Sequence, residues 1–541
     1  MVMEERSADT VNRVGEVQLG KGHKHGRSED SSSKTVNLGV EPDKQDLLSN
    51  KGQRWVFEKC VNFSAVDSPS IKEVMTVCGD HMGLNIPDSH EFNGWILQEE
   101  LKEVQDRVKK VKDSWAITGC SILLDAWVDQ KGHDLVAFIA ESPAGPVYLK
   151  SFDVSDIKNN GIALLSLVNG VVEEAGVDNV TQIIADSTSG WVGELGVRFV
   201  ADHKRPHVFW SASLSHCFQI LLEKIGKMHS FEDILEKGHN IWEFVNNNPL
   251  VLNVFRDHSH GEVITVSSSE FEFVTPYLTL ETIFKAKKIL AAMFASSDWN
   301  KEEEGISISN LVNDSFFWKT VERVLKFTSP LIRGLVLFSS ANNQHAGYIY
   351  ETMDIIKESI ARECNHKKLC YMPLWDVIDD VWNKHLHSPL HAAGYFLNPT
   401  AFYSTDFHLD PEVAAGLASS LVLMVQEWQI RITIATQLDM YRLGQDCFTE
   451  ASQADQISGI SPAEWWAQKA SKYPELQSFA IKILSQTCEG ASRYKLKRSL
   501  AEKLLLTEGM SHSEKQHLEE VALVHYNNHL QSCKFKLSEE Q

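Results

Sequence analysis

The chain has 541 residues, of which 43% are hydrophobic and 23% charged, a composition typical of a globular protein with roughly three or four structural units. Its formal net charge of −21 argues against nucleic-acid binding over the whole surface, because phosphates would be repelled, although a confined basic groove is compatible with it. The nine cysteines lack disulfide-framework spacing, and neither a signal segment nor a membrane-length apolar run of roughly 20 residues is present, so we expect a soluble intracellular protein.

The N-terminal part divides into a polar arm and a helical region. Residues 1–50 are rich in Ser, Gly, Lys, Asp and Glu and have almost no aromatic residues, so we expect this arm to be disordered. Residues 51–112 form the helical region, because apolar residues recur there at helical spacing. These residues are Ile96, Leu97, Leu101, Val104, Val108 and Val111.

Residues 113–230 predict an α/β unit. Three short apolar runs separated by turn residues predict antiparallel strands at Ser121–Trp127, Leu135–Ala140 and Val147–Phe152. This order of elements, three strands and then helix, strand, helix, strand, helix, is that of a ribonuclease H-like core. The later elements are expected at Ile162–Glu174, Val180–Ala185, 192–200, His207–Trp210 and His216–Ile225.

The rest of the chain is expected to be helical. Residues 231–455 predict an all-helical region, with helices at Phe284–Phe294, Phe316–Phe327, Tyr348–Cys364 and Leu374–His387. Residues 456–533 predict a C-terminal segment in which two tryptophans precede a helix with an apolar stripe. These apolar residues are Trp465, Trp466, Leu476, Phe479, Ala480, Ile483 and Leu484.

Two carboxylates stand out because each ends a predicted buried strand. Asp125 follows Cys120–Leu124, and Asp186 follows Val180–Ala185. Two acids at the ends of buried strands are half of a magnesium site for phosphoryl chemistry, in which carboxylates supply most of the metal ligands. The alternative is that both acids are strand-end residues inherited with the fold, and we favour this alternative.

Several stretches together give the chain a resemblance to a known family. The resemblance covers about residues 55–530, and the stretches are specific only as a set. They are Trp115–Cys120 with Asp125–Trp127, Asn179–Gln182 with Asp186, Leu386–Pro399, Trp465–Trp466 and Leu523–Asn527. In these residues the chain resembles the hAT (hobo/Ac/Tam3) transposases in their plant form.

The resemblance implies a ribonuclease H-like core interrupted by a helical insertion, and a C-terminal region that completes the core and supports dimerisation. It also implies two catalytic aspartates, matched by Asp125 and Asp186, and a distant glutamate. Tyr494 stands at the expected position of the glutamate, and Glu489 lies more than a helical turn early. Because tyrosine is a poor magnesium ligand and the run Arg493–Arg498 is basic, we expect the two aspartates to be vestigial and no cofactor to be bound, with Mg²⁺ only where activity remains.

Other positions depart from the family pattern. The resemblance implies a Cys-x-x-His motif where this chain has Ser213 and His216. It also implies an N-terminal BED zinc finger, but Cys60 and Cys78 lie too far apart for a zinc-binding Cys-x-x-Cys pair, so we expect none. His387 and His391 are four residues apart, as metal-binding histidines on a helix are, but Pro389 lies between them and favours a packed loop.

These features favour a domesticated, catalytically inactive transposase-like protein that acts through dimerisation and interaction with nuclear proteins. Its expected partner is a second copy or another hAT-like protein, with weak DNA binding, no membrane contact and a nuclear location implied by the resemblance. A DNA-binding regulator and a residually active DNA-cutting enzyme that uses Glu489 are the alternatives. The residues expected to support dimerisation, which a self-contained core would also bury, are Trp465, Trp466, Leu476, Phe479, Ile483 and Leu484.

Overall fold

A five-stranded mixed sheet is the centre of the computed structural model. The strands are β1 (Cys120–Val128), β2 (Asp134–Glu141), β3 (Val147–Asp153), β4 (Val180–Ala185) and β5 (Phe209–Ala212). Their order in the sheet is β3-β2-β1-β4-β5. The structure describes residues 56–57, 59, 63–70, 72–73, 87–260, 266, 269, 271–295, 303–339, 345–405, 407–449 and 460–539.

The strand register confirms the antiparallel strands expected at the start of the α/β unit. β1 pairs with β2, and β2 with β3, both antiparallel. β4 and β5 extend the other side of β1 as parallel strands. Connections between parallel strands need a crossover, and the helices α2 (Gly161–Ala175) and α3 (Gly190–Ala201) lie in the two connections that lead to β4 and β5.

The two faces of the sheet are covered by distant parts of the chain. One face packs against α2, α3 and Trp115 of α1 (Leu97–Thr118). The opposite face packs against two C-terminal helices, α18 (Arg498–Leu506) and α19 (His512–Glu539). The C-terminal segment therefore completes a three-layer core, because a sheet with two apolar faces must bury both.

The described residues from 229 to 449 contribute helices and no strand to this sheet. They pack with α4 and the C-terminal helices α16 and α17 around one extended apolar core. The helices are α4 (Leu214–Gly226), α5 (His229–Asn247), α6 (Pro249–His258), α7 (Thr275–Lys285), α8 (Lys287–Met293), α9 (Glu303–Asn313), α10 (Ser315–Ser339), α11 (Ile349–Glu363), α12 (Lys368–Val381), α13 (Pro389–Leu397), α14 (Pro411–Met424), α15 (Trp428–Arg442), α16 (Pro462–Lys469) and α17 (Pro474–Leu484).

Short helical segments lie between these elements. They are Phe63–Val66, Ser89–Glu91, Phe92–Ile96, Glu272–Val274, Ala346–Tyr348, Trp382–Leu386, Pro399–Phe402, Asp446–Phe448 and Ala491–Tyr494. Near the N-terminus, Phe57 and Phe92 pack with the start of α1 against Val524 of α19. Among the described residues, no helix is both long enough and apolar enough to cross a membrane.

Most predicted elements lie where the sequence placed them, but the helix Phe284–Phe294 and the loop around Pro389 need correction. The predicted helix Phe284–Phe294 is two helices, α7 and α8, that meet at Ala286, where ψ is 0°. The predicted loop around Pro389 is the buried helix α13, because Pro389 occupies its first turn and the Ser388 hydroxyl caps it. The predicted boundary at residue 112 lies inside α1. The expected N-terminal arm lies outside the described residues, and so do Cys60 and Cys78. The expected absence of a zinc finger therefore stays a prediction.

Candidate functional site

The two aspartates singled out in the sequence lie together at one edge of the sheet. Asp125 lies near the C-terminal end of β1, and Asp186 directly follows its parallel neighbour β4. The Asp186 backbone N–H donates to the Leu124 carbonyl oxygen over 3.2 Å, which places Asp186 beside the residue that precedes Asp125. The negative charge of Asp125 contributes to a raised pKa of Asp186, as expected for neighbouring carboxylates.

A cation of the protein itself occupies one side of Asp125. The Arg498 guanidinium, at the first residue of α18, donates from Nη2 to Asp125 Oδ1 over 3.0 Å. The same guanidinium lies over the Trp127 ring, 5.3 Å from its centroid. Burial raises the pKa of Asp125, and the charge of Arg498 opposes this shift. Asp125 is therefore an ion-pair partner in this fold, and a metal ion that bound the same oxygen would have to displace Arg498.

The Asp186 carboxylate is enclosed by the segment that follows α17. Ser492 donates its backbone N–H to Asp186 Oδ2 over 2.8 Å. Gly490 approaches from the same segment so closely that a β-carbon there would lie 1.8 Å from Asp186 Oδ1. Burial is the main reason why the pKa of Asp186 is raised to about 6, while hydrogen bonds from Ser213 and Ser492 act in the opposite direction. Glycine at position 490 is thus what allows the segment to pass over the carboxylate.

A third acid lies near Asp186, although Tyr494 stands where the family resemblance places one. The Glu489 side chain is buried, and burial raises its pKa to about 7, with the charge of Asp186 adding to the shift. The positive charge of Arg493 opposes it. From the sequence, Glu489 was expected only as an alternative acid. We call Asp125, Asp186 and Glu489 the acidic cluster.

Tyr494 itself belongs to the core between the sheet and the C-terminal helices α18 and α19. Its ring is buried, and its hydroxyl accepts a hydrogen bond from Arg493 Nη2 over 2.9 Å. Arg493 forms an ion pair with Glu141, which pairs across the sheet with Ser121. Ser121 lies four residues before Asp125, about 13 Å along the strand. The basic run therefore divides: Arg498 contacts Asp125, whereas Arg493 pairs with Glu141 and the Tyr494 hydroxyl and acts on Glu489 only through its charge.

The described side chains do not form a complete metal site. No group of three or more His, Cys, Asp or Glu residues within the described ranges has an arrangement that could hold a metal ion. A two-metal centre for phosphoryl transfer needs several carboxylate oxygens around ions about 4 Å apart. Asp125 is engaged by Arg498, and Glu489 is buried with a raised pKa, so the arrangement does not fit a divalent-metal pair as it stands.

The other positions noted in the sequence have structural roles. Ser213 caps α4, because its hydroxyl accepts from the His216 backbone N–H over 3.3 Å. The His387 ring lies 3.0 Å from Glu412 and 5.9 Å from the Trp382 ring centroid. His391 is fully buried in α13, and burial lowers its pKa to about 4. These two histidines are therefore packed residues of the helical body.

A groove that the sequence did not reveal begins beside Asp186. It has a volume of about 1000 Å³, is open to solvent and runs along α3. Two basic side chains, Arg198 and Lys384, line it together with His385, His387, Glu194 and Trp210, and burial lowers the pKa of His385. Periodicity could not indicate this groove, because its basic residues lie on α3 and on the segment Trp382–Leu386, almost 200 positions apart in the chain.

The residues expected to support dimerisation are parts of the core. Trp465 and Trp466 are fully buried and pack with Tyr441 and Phe448, and we call these four residues the aromatic cluster. The Trp466 indole N–H donates to the Leu397 carbonyl oxygen over 2.7 Å. The stripe residues of α17 are also buried, with exposed fractions from 0% to 5%: Leu476, Phe479, Ile483 and Leu484. Of the two roles left open by the sequence, the structure gives these six side chains the core role.

Two family models match this chain. Residues 437–524 match the hAT family C-terminal dimerisation region, and residues 87–241 match a domain of unknown function, DUF659. The first match contains all four residues of the aromatic cluster, and the second contains the whole sheet with Asp125 and Asp186. No curated protein matches the chain. The matches support a transposase-like protein with a region for self-association.

Proposed function

We propose that this chain is a domesticated hAT transposase-like protein that has lost DNA cutting and acts as a dimerising scaffold for other proteins in the nucleus. The observation that carries the proposal is the ion pair between Arg498 and Asp125 in the acidic cluster. The match of residues 437–524 to a dimerisation region supports the dimerising part of the proposal. Plant origin and nuclear location enter the proposal through the family resemblance of the sequence.

The strand order supports a ribonuclease H-like core. Three antiparallel strands, followed by two parallel strands on the other side of β1, form the β3-β2-β1-β4-β5 sheet. Asp125 lies near the C-terminal end of β1 and Asp186 directly follows β4, where such a core would hold catalytic acids. The large helical body between residues 229 and 449 lies between α4 and the C-terminal segment in sequence, as an insertion would.

The electrostatics of the acidic cluster support the loss of activity. Two-metal chemistry requires carboxylates that are ionised and open to divalent cations. Here a guanidinium contacts Asp125, and burial raises the pKa values of Asp186 and Glu489 to about 6 and about 7. Burial therefore disfavours the ionised form of Glu489, which is the form that binds a divalent cation.

A nicking assay tests the proposed inactivity. Supercoiled DNA would be incubated with the full chain and Mg²⁺ or Mn²⁺, with Asp186→Ala as the matched control. We expect no metal-dependent nicking above that of Asp186→Ala. Metal-dependent nicking that Asp186→Ala abolishes would contradict the proposal. Loss of this nicking in Glu489→Gln as well would support the alternative of a residually active DNA-cutting enzyme, which the position of Glu489 near Asp186 favours.

Light scattering over a dilution series tests the proposed dimerisation. We expect the molar mass of two chains at micromolar concentration, falling towards the 61.0 kDa of one chain on dilution. A single-chain mass at every concentration would overturn homodimerisation. Pull-down of hAT-like proteins would then distinguish a heterodimer from a monomeric protein.

A DNA-binding regulator is the second candidate, and the groove beside Asp186 favours it. Arg198 and Lys384 supply the positive charge for phosphate contacts there, whereas the basic run contributes Arg493 and Arg498 to internal ion pairs. Contacts to phosphates release counterions, so affinity should fall steeply with salt. Fluorescence anisotropy of labelled duplex DNA measures this salt dependence between 50 and 200 mM salt, roughly the range over which such binding collapses. Arg198→Glu is the comparison variant.

A further inference from the structure

Helix α15 carries apolar residues on two different faces. Its inner face is buried: Ile434, Leu438 and Tyr441 pack into the helical body, and Tyr441 belongs to the aromatic cluster. Gln437 fixes the helix to α17, because its Oε1 accepts from the Leu476 backbone N–H over 2.9 Å and its Nε2 donates to Glu475 over 2.7 Å. These contacts orient α15 on the core of the matched dimerisation region.

The outer face of α15 is apolar but faces solvent. Trp428 is 65% exposed and Ile432 is 51% exposed, and their four-residue spacing places them on one side of the helix. Ala435 is also exposed, about one turn further along the same side. Across a three-residue connection, Val422 near the end of α14 is 52% exposed. We call Val422, Trp428, Ile432 and Ala435 the α14–α15 surface.

This part of the chain is also unusually poor in charge. Between positions 414 and 437 the only charged residues are Glu427 and Arg431, whereas the whole chain is 23% charged with a net charge of −21. Arg431 directs its guanidinium to the carbonyl oxygens of Val425 and Gln426 at the end of α14. Two copies of an acidic protein repel each other, and the repulsion is weakest where they meet through uncharged surfaces.

We propose that the α14–α15 surface binds the same surface of a second copy of this chain. This inference rests on the proposed dimerisation and names the surface responsible for it. The region matched to the hAT dimerisation model begins at residue 437, inside α15, so the same helix carries the exposed apolar residues and the start of that region. In a two-fold dimer Trp428 of each copy lies in a self-complementary patch, and buried tryptophans are frequent interface hot spots.

The experiment compares the dimer dissociation constants of the full-length chain and of single variants by sedimentation velocity over a dilution series. Trp428→Ala removes the largest exposed side chain, and Ala435→Glu adds a negative charge to each copy. Each has a matched control elsewhere: Trp95→Ala, since Trp95 is 54% exposed, and Ala292→Glu on α8. We expect at least a tenfold weaker dimer for both surface variants and an unchanged dimer for both controls.

The outcomes separate this inference from the proposed function. A wild-type chain that is monomeric at all concentrations overturns the proposed homodimer and this inference with it. A wild-type dimer that Trp428→Ala and Ala435→Glu leave intact overturns the inference alone. Circular dichroism and thermal melting should show all four variants folded as the wild type, because each changes an exposed side chain.

Discussion

The acidic cluster and the aromatic cluster show opposite relations between burial and charge. In the acidic cluster, carboxylates are buried, and the pKa values of Asp186 and Glu489 rise to about 6 and about 7. In the aromatic cluster, Trp465 and Trp466 bury large apolar rings, and the Trp466 indole N–H has a backbone acceptor. Burial therefore stabilises the fold at the aromatic cluster and opposes the ionisation that metal binding would need at the acidic cluster.

This contrast suggests which part of the molecule maintains its structure. The aromatic cluster joins α13, α15 and α16, so its packing holds the helical body to the C-terminal region. The acidic cluster lies where that region crosses the sheet edge, and its contacts there are an ion pair, a backbone hydrogen bond and a close glycine. The following substitutions test this contrast, from the largest expected effect to the smallest.

Truncation of the aromatic cluster should have the largest effect. Trp466→Ala removes a fully buried ring and the hydrogen bond to Leu397, so we expect a loss of about 3–5 kcal/mol in the free energy of unfolding. Chemical denaturation followed by circular dichroism measures it. The control is Trp428→Ala, in which the exposed ring should change the monomer stability by less than about 0.5 kcal/mol. Similar losses in the two variants would break the comparison.

Enlarging Gly490 should destabilise the acidic cluster by steric overlap. The β-carbon of Gly490→Ala would overlap Asp186 Oδ1, and we expect a loss of about 1–3 kcal/mol from the required displacement. Gly170→Ala in α2 is the control, because no atom lies within 4 Å of its β-carbon and helical alanine should stabilise by about 0.5–1 kcal/mol. Combining Gly490→Ala with Asp186→Ala should restore part of the loss; no recovery would exclude this contact as its cause.

The raised pKa of Glu489 predicts a particular pH dependence of stability. Its carboxyl binds a proton more tightly in the folded chain, at a pKa of about 7, than at its ordinary value of 4.5. The folded state therefore gains stability from it at low pH and loses this stability as the pH rises from about 4.5 to about 7, by up to about 1.4 kcal/mol per pH unit.

Glu489→Gln should flatten this slope, as measured by urea denaturation at values from roughly pH 4 to roughly pH 8, which span the titration (roughly 4.5 to 7) expected from linkage. The raised pKa of Asp186 also makes the free energy of unfolding fall with rising pH, up to about pH 6. The quantity to compare is therefore the difference in free energy of unfolding between the variant and the wild type at each pH. The exposed Glu508→Gln serves as control and should give a curve parallel to that of the wild type. A Glu489→Gln curve that is also parallel would contradict the raised pKa.

The ion pair between Arg498 and Asp125 should contribute the smallest effect. Because the Arg498 side chain is 46% exposed, solvent screens the pair, and we expect a coupling energy of about 1 kcal/mol. A double-mutant cycle with Arg498→Met and Asp125→Asn measures it while keeping most of the packing on Trp127. A coupling energy of zero would mean that the Arg498 guanidinium and the Asp125 carboxylate do not interact when the protein is in solution.

Much of the sheet was predictable because strand patterns are local. The strand Val180–Ala185 was predicted with its observed bounds, and the predicted bounds of β1 to β3 differ by one residue at most. β5 begins at Phe209 and not at the predicted His207, because Val208 still belongs to a turn in which its N–H donates to the Arg205 carbonyl. The proximity of Asp125 and Asp186 was also predictable, since both lie at strand ends of one α/β unit.

The sequence by itself determined the alternation of strands and helices, the two strand-end acids and the apolar stripes, because these depend on neighbouring residues in the chain. Only the tertiary structure decided what those residues contact. Arg498 reaches Asp125 across 373 positions of the chain, and Gly490 lies over Asp186. Burial likewise divided the apolar residues into core, as for Trp465 and Trp466, and exposed surface, as for Trp428. A side chain's pattern shows that it is apolar, but the packing of distant segments determines whether it faces the core or solvent.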